Sequence, residues 1–172
     1  MTAAPEGPDL RRITDALARH EVEYLLVGGI AARAYGAQRP TFDVDCVPEP
    51  SRENLDRLAA ALRDLHARLR VEGLTDEEAA LLPVQVTGST LVRMELSTWR
   101  TDGGDLDVLA DIPDRHGRHL SYPELVGRAS KLNLDGIVVR VAALDDVIAS
   151  KEWADRPKDR DALPELRALI DE

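Results

Sequence analysis

The segment Thr41–Val47, Thr-Phe-Asp-Val-Asp-Cys-Val, constrains this chain more than any other. It alternates in character over the length of a strand. Successive side chains on a strand point to opposite faces, so Asp43 and Asp45 share one face, and Cys46 turns to the other, packed face. Two parallel carboxylates on an otherwise apolar strand repel each other and are costly to hold without a partner. A divalent cation is the ordinary solution, and clustered carboxylates with water suit Mg2+. Upstream, Glu23–Val27 reads as a buried strand that stops at Gly28-Gly29, and Ile30–Tyr35 reads as a helix closed by Gly36. Such a strand–Gly-Gly–helix turn offers backbone N–H groups with no side chains to block a phosphate. Taken singly, a Gly-Gly is usually only a tight turn and an Asp-x-Asp usually only surface charge. Side by side, a phosphate cradle and a two-carboxylate site are the equipment of phosphoryl or nucleotidyl transfer.

The rest of the chain predicts an α/β or α+β fold, a mixed β-sheet flanked by helices. Asp9–Ala18 reads as a helix capped by Asp9. Ser51–Leu69 reads as one long amphipathic helix, with Leu55, Leu58, Leu62, Leu65 and Leu69 as its buried stripe. Thr75 and Glu78 form a capping box opening a short helix to Leu82. Leu91–Thr98 and Asp105–Ala110 read as antiparallel strands joined through Asp102-Gly103-Gly104. A polar loop (Asp111–His119) and a short helix from Tyr122 follow. Lys131–Leu134 and Ile137–Val141 read as a hairpin turning at Asp135-Gly136. The end is helical from about residue 143, in two pieces (Ala143–Ala154 and Lys158–Ile170) separated by Pro157.

Length and charge bound the function classes. A chain of 172 residues corresponds to a single domain over 1–172. The 22 basic and 32 acidic residues give a net charge of −10, which argues against a broad nucleic-acid binder but leaves room for a local basic patch. One Phe, two Trp and three Tyr are too few for a platform stacking several bases. No apolar run approaches the roughly 20 residues of a membrane span, and Met1–Asp9 has no signal-peptide pattern. The single cysteine, Cys46, forms no internal disulfide. A cytoplasmic protein without a membrane partner is expected.

At this point the residues match a family. Gly28-Gly29, Arg39-x-Thr41-x-Asp43-x-Asp45 and Gly104-x-Leu106-Asp107 resemble the nucleotidyltransferase superfamily of polymerase-β-like enzymes. Ser150-Lys151-Glu152 and Arg156-Pro157-Lys158-Asp159-Arg160-Asp161 look like the Lys and Lys-Asp elements of its AbiEii/MenT-like group, the nucleotidyltransferase toxins of toxin–antitoxin systems. The resemblance covers Glu23 to Leu169. It implies catalytic and metal-binding roles for Asp43, Asp45 and Asp107, with Asp105 as the alternative third carboxylate. Two Mg2+ ions about 4 Å apart would clamp the attacking and leaving oxygens. Nucleotide-binding roles fall to Gly28, Gly29, Arg39, Lys151, Lys158 and Asp159, where Lys suits a triphosphate as a point charge. Only Lys131 accompanies Lys151 and Lys158 in the whole chain. Asp159 has a plainer reading as a helix cap.

The implied activity moves NMP from an NTP to an acceptor hydroxyl. An RNA acceptor, a tRNA 3′ end, and a cognate antitoxin follow from the resemblance. Docking on RNA would need an arginine patch, from Arg63, Arg68 and Arg70 or from Arg115, Arg118 and Arg128. An antibiotic nucleotidyltransferase of the aminoglycoside or lincosamide type and a non-catalytic nucleotide-binding relative are the alternatives. His116 and His119 read as a solvated loop and not a metal site, His20 and His66 as structural or exposed, and Trp99 and Trp153 as packing residues.

Overall fold

The computed structural model describes residues 7–172. The first helix, α1 (Leu10–Arg19), is capped by Asp9, whose carboxylate accepts from the Arg12 N–H at 3.1 Å. Strand β1 (Tyr24–Val27) runs directly into α2 (Gly28–Ala34), two residues earlier than the alanine-rich stretch predicts. Then come β2 (Asp43–Pro48) and α3 (Arg52–Asp64), the latter capped by Ser51. An edge strand β3 (Arg68–Arg70) precedes the short helices α4 (Asp76–Ala80) and α5 (Gly88–Val92). Strands β4 (Leu96–Thr101) and β5 (Gly104–Leu109) form the central hairpin, and β6 (Asp111–Pro113) and β7 (His119–Ser121) a small second sheet. After α6 (Tyr122–Val126) come the hairpin β8 (Ser130–Leu134) and β9 (Ile137–Val141), then α7 (Leu144–Ala154) and α8 (Pro157–Ile170).

The main sheet has seven strands in the order β3-β4-β5-β2-β1-β9-β8. It is mixed as expected: β2 is parallel to β5 and β1 to β9, and the other pairs are antiparallel. One face of its centre carries Val44, Cys46, Leu106, Val108 and Trp99, all buried in one core with Ile13 and Leu17 of α1 and Leu58 and Leu62 of α3. The Trp99 indole donates to Ser97 Oγ at 2.8 Å, which satisfies its polar atom within that core. Ala32, Ala37, Ile148, Leu163 and Leu166 form a second cluster that joins α2, α7 and α8.

Three predicted elements need correction. The long helix ends at Asp64, not Leu69: His66 turns left-handed at φ 52°, and Ala67 N–H reaches back to Leu62 O at 2.9 Å. That six-to-one bond is a helix terminator of the kind glycine usually supplies. Arg68–Arg70 then runs as an edge strand, with Leu69 opposite Trp99. Leu91 and Val92 belong to α5, capped by Thr87, so the strand predicted from Leu91 begins at Leu96. The segment Asp111–His119, predicted as a loop, opens as strand β6 and ends at the first residue of its partner β7.

Candidate active site

The site grows out of strand register. Asp45 lies opposite Val27 on one side and Asp107 on the other, and Asp43 lies opposite Asp105. Side chains opposite each other on neighbouring strands share a face, so this register alone sets four aspartates in a block on the sheet face away from Val44 and Cys46.

Three of the four converge. One carboxylate oxygen from each of Asp43, Asp45 and Asp107 lies within 4.8 Å of the others, the single metal-competent group among the described residues. Asp105 is drawn off: its carboxylate meets Arg70 Nη1 at 2.6 Å and Arg100 Nε at 3.5 Å. The geometry therefore places Asp107, and not Asp105, with the pair on β2. Asp107 Oδ1 is buried with no hydrogen-bond partner. A buried orphan oxygen costs free energy, and a cation is the partner that three converging carboxylates would accept.

Electrostatics tells the same story. Burial first, then the hydrogen bond and charge of Asp107 and the charge of Asp43, push the Asp45 carboxyl up to about 8, against the pull of Lys158. Asp43 is also raised, by burial and by Asp107. A carboxyl raised to about 8 keeps its proton at neutral pH unless a cation replaces it.

The carboxylates open into a cleft of about 400 Å³. Gly28 and Gly29 line it where β1 meets α2, Arg39 and Thr41 come from the following loop, and Ser150 and Lys151 of α7 with Arg156 and Lys158 at the start of α8 complete the lining. Gly28 is required on two counts. Its φ is +64°, and a Cβ there would overlap the Asp45 carboxylate. The Lys151 side chain is only 16% exposed, and its Nζ sits 3.6 Å from Asp159 Oδ1.

Asp159 does not line this cleft. Fully buried, it accepts from the Arg156 N–H at 3.2 Å and Nε at 2.7 Å, so it caps α8 while holding Lys151 and Arg156 at the wall. The charges of those partners hold its carboxyl below the usual range against the burial that opposes them. Glu165 of α8 pins the loop carrying Arg39 by accepting from the Gln38 N–H at 2.5 Å.

Arg156, Ser150 and Phe42, which carry no role in the motif pattern above, also line the cleft, with Phe42 53% exposed. Arg156 stood inside the Arg-Pro-Lys-Asp stretch, so a signal for it existed. The histidines lie elsewhere: His20 pairs with Asp64, His66 with Asp102 and His119 with Asp111. Cys46 is buried, and burial pushes its thiol far up. Trp153 packs over Gly117 at the surface, with 54% of it exposed.

The fold matches solved antibiotic-modifying enzymes. The lincosamide antibiotic adenylyltransferase LnuA, solved with lincomycin bound, is 15% identical over 94% of this chain and 96% of its own, with a TM-score of 0.63. The antibiotic-resistance factor ANT(2'')-Ia is 15% identical over 94% of this chain and 82% of its own, with a TM-score of 0.60. No curated protein matches the sequence. The family model described as "Nucleotidyl transferase AbiEii toxin, Type IV TA system" matches residues 10–163, a span holding the carboxylate cluster and all four cations of the cleft. The chain therefore belongs to the AbiEii family of nucleotidyltransferase toxins.

Proposed function

We propose that this nucleotidyltransferase moves NMP from an NTP to a hydroxyl of RNA, at a tRNA 3′ end, in an Mg2+-dependent reaction, and that a cognate antitoxin opposes it in the cytoplasm. The observation that supports this reading is the convergence of Asp43, Asp45 and Asp107 beside a wall of Lys151, Arg156 and Lys158. Asp43, Asp45 and Asp107 would hold the metal, which supplies Lewis-acid neutralisation of the reacting phosphate when bound. Gly28 and Gly29 leave the backbone open to the triphosphate, and Arg39, Lys151, Arg156 and Lys158 offset its charge. Asp159 acts from behind, by fixing Lys151 and Arg156. In the reaction the acceptor oxygen forms a bond to the α-phosphorus while the bond to pyrophosphate breaks. The acceptor proton passes to the carboxylate of Asp107, and the four cations receive the departing negative charge.

A second acceptor class has an observation in its favour: the net charge of −10 suits a cationic aminoglycoside. Each labelled NTP, incubated with Mg2+ and either total tRNA or an aminoglycoside and lincosamide panel, separates the two. Label on tRNA that disappears with Asp107→Ala is the expected result. Label on a drug and none on RNA would replace the acceptor, and no turnover of any NTP would leave only a nucleotide-binding relative.

The raised Asp45 carboxyl gives a pH signature. Its folded value, about 8, lies above the ordinary value near 4, so the folded protein holds the extra proton between them. Stability of the metal-free protein should accordingly fall as pH rises through that window. Metal must displace the proton, so apparent Mg2+ affinity should climb by up to about tenfold per pH unit until about pH 8 and then level off. Melting scans with and without Mg2+ across the window check both trends. A flat metal-free profile would show that the three carboxylates do not share a site.

A further inference from the structure

The half of the sheet beyond Asp107 is open on the face that carries the site. Along β4, Ser97, Trp99 and Thr101 are buried while Leu96, Thr98 and Arg100 are exposed or half-buried, and on β3 Arg68 and Arg70 are exposed. Register sets these side chains in two rows leading away from the carboxylates. Asp107 faces Thr98, which faces Arg70; Asp105 faces Arg100, which faces Arg68. Strands lie about 4.8 Å apart, so Arg70 stands roughly 10 Å from Asp107.

We propose that the acceptor reaches Asp107 across this open half-sheet, and that the face takes the phosphodiester backbone of an RNA strand, gripped by Arg68, Arg70 and Arg100. The proposal rests on the reading of Asp43, Asp45 and Asp107 as the transfer site. Four observations carry it. The cations of the cleft wall stand with Gly28 and Gly29, on the triphosphate side, which leaves the β4–β3 side for the acceptor. Asp105 fixes Arg70 and Arg100 in place at 2.6 and 3.5 Å, so these guanidiniums are held before any strand arrives.

The third observation is the charge of the strip itself. Arg68 has no ion pair among the described residues, whereas Arg70 is met by Asp105 at 2.6 Å and Arg100 by Asp76 at 2.5 Å, so one of the three guanidiniums stands unmatched in a chain of net charge −10. Guanidinium pairs with phosphate in two-pronged geometry and repels a polycationic drug. Asp76, Glu77 and Glu78 open α4, which packs against β3, so the outer edge of the strip is acidic and repels a strand that runs on past it. Lastly, the other arginine group lies off the two rows: Arg115 and Arg118 belong to the segment between β6 and β7, and Arg128 follows α6 and pairs with Asp146. Arg63 donates to Val86 O at the end of α3, outside the two rows.

The test measures affinity for total tRNA carrying a 5′ fluorophore, by anisotropy over a range of salt, in wild type, R68E, R68K, R70Q and R118E. Affinity of each for tripolyphosphate with Mg2+ reads the opposite wall. R68E should bind tRNA about tenfold more weakly, and R70Q should lower the salt slope by about one. R68K should bind as wild type does, R118E should be unchanged, and tripolyphosphate affinity should not move in any variant. Wild-type affinity in both R68E and R70Q, or an equal loss in R118E, would overturn the proposal. So would a wild type that has no salt-dependent affinity for tRNA. If wild type labels an acceptor while R68E binds tRNA normally, the face is wrong and the chemistry stands. If the arginine variants lose tRNA and wild type labels nothing, the face stands and the transfer reading falls.

Discussion

Replacing Asp45 by asparagine should abolish nucleotidyl transfer and, in the same protein, raise the melting temperature of the metal-free form. Asp45 sits between Asp43 and Asp107, and burial with two neighbouring carboxylates already drives its carboxyl up to about 8. An amide removes one negative charge from that group and offers an N–H donor to Asp107, whose Oδ1 has no partner. The relief is on the order of 1–2 kcal/mol, or roughly 2–8 °C for a chain of this size. It should be largest above pH 8, where the Asp45 carboxyl would be ionised, and should fade toward pH 5. Activity goes the other way. A ligand to a catalytic metal supports several kcal/mol of charge stabilisation, so the rate should fall by on the order of 10³-fold. Loss of activity with a lowered melting point would instead mark Asp45 as a structural residue. A retained rate would remove it from the site altogether.

That trade of stability for chemistry explains why the site was legible in the sequence. Asp43 and Asp45 break the apolar run of β2 at alternate positions, and the period of a strand is enough to put them on one face. The third carboxylate was not legible to the same depth. Asp105 and Asp107 share a face of β5, and they are separated by the ion pairs of Asp105 with Arg100 across the hairpin and with Arg70 from β3, a strand distant in sequence. Helix ends failed for a related reason. At Gly36 the left-handed residue is a glycine and the stop was visible, whereas at His66 the same six-to-one closure is made by a residue that carries no such signal. Leu65 and Leu69 continue the helical spacing across it, and the pairing of Leu69 with Trp99 decides the outcome. Asp159 shows the third kind of limit. Its carboxylate type and place beside Lys158 were plain, but a buried acid that holds two cations and an exposed acid that touches nucleotide read alike in one dimension.

Gly28→Ala should reduce transfer by on the order of 10²-fold while leaving the fold intact, and Gly136→Ala is the comparison that gives the result meaning. Both glycines have positive φ, +64° and +84°, so alanine at either position carries about 1–2 kcal/mol of backbone strain. Their surroundings differ. At Gly136, in the β8–β9 turn, the nearest atom to an added Cβ is Arg11 Nη2 at 3.7 Å, so strain is the whole effect. At Gly28 the added carbon overlaps the Asp45 carboxylate and lies 3.0 Å from its Cγ, so the carboxylate must move. It can only leave the group it forms with Asp43 and Asp107, and a displacement near 1 Å at a reacting centre is enough for the expected loss. The two variants should therefore melt within a few degrees of each other and differ sharply in rate. Asp45 moved off its neighbours should also lose part of its upward shift, so the pH dependence of metal-free melting should flatten in Gly28→Ala and persist in Gly136→Ala. Equal rates in the two variants would mean that the glycine bend serves the chain's path alone and that the contact between Gly28 and Asp45 has no part in catalysis.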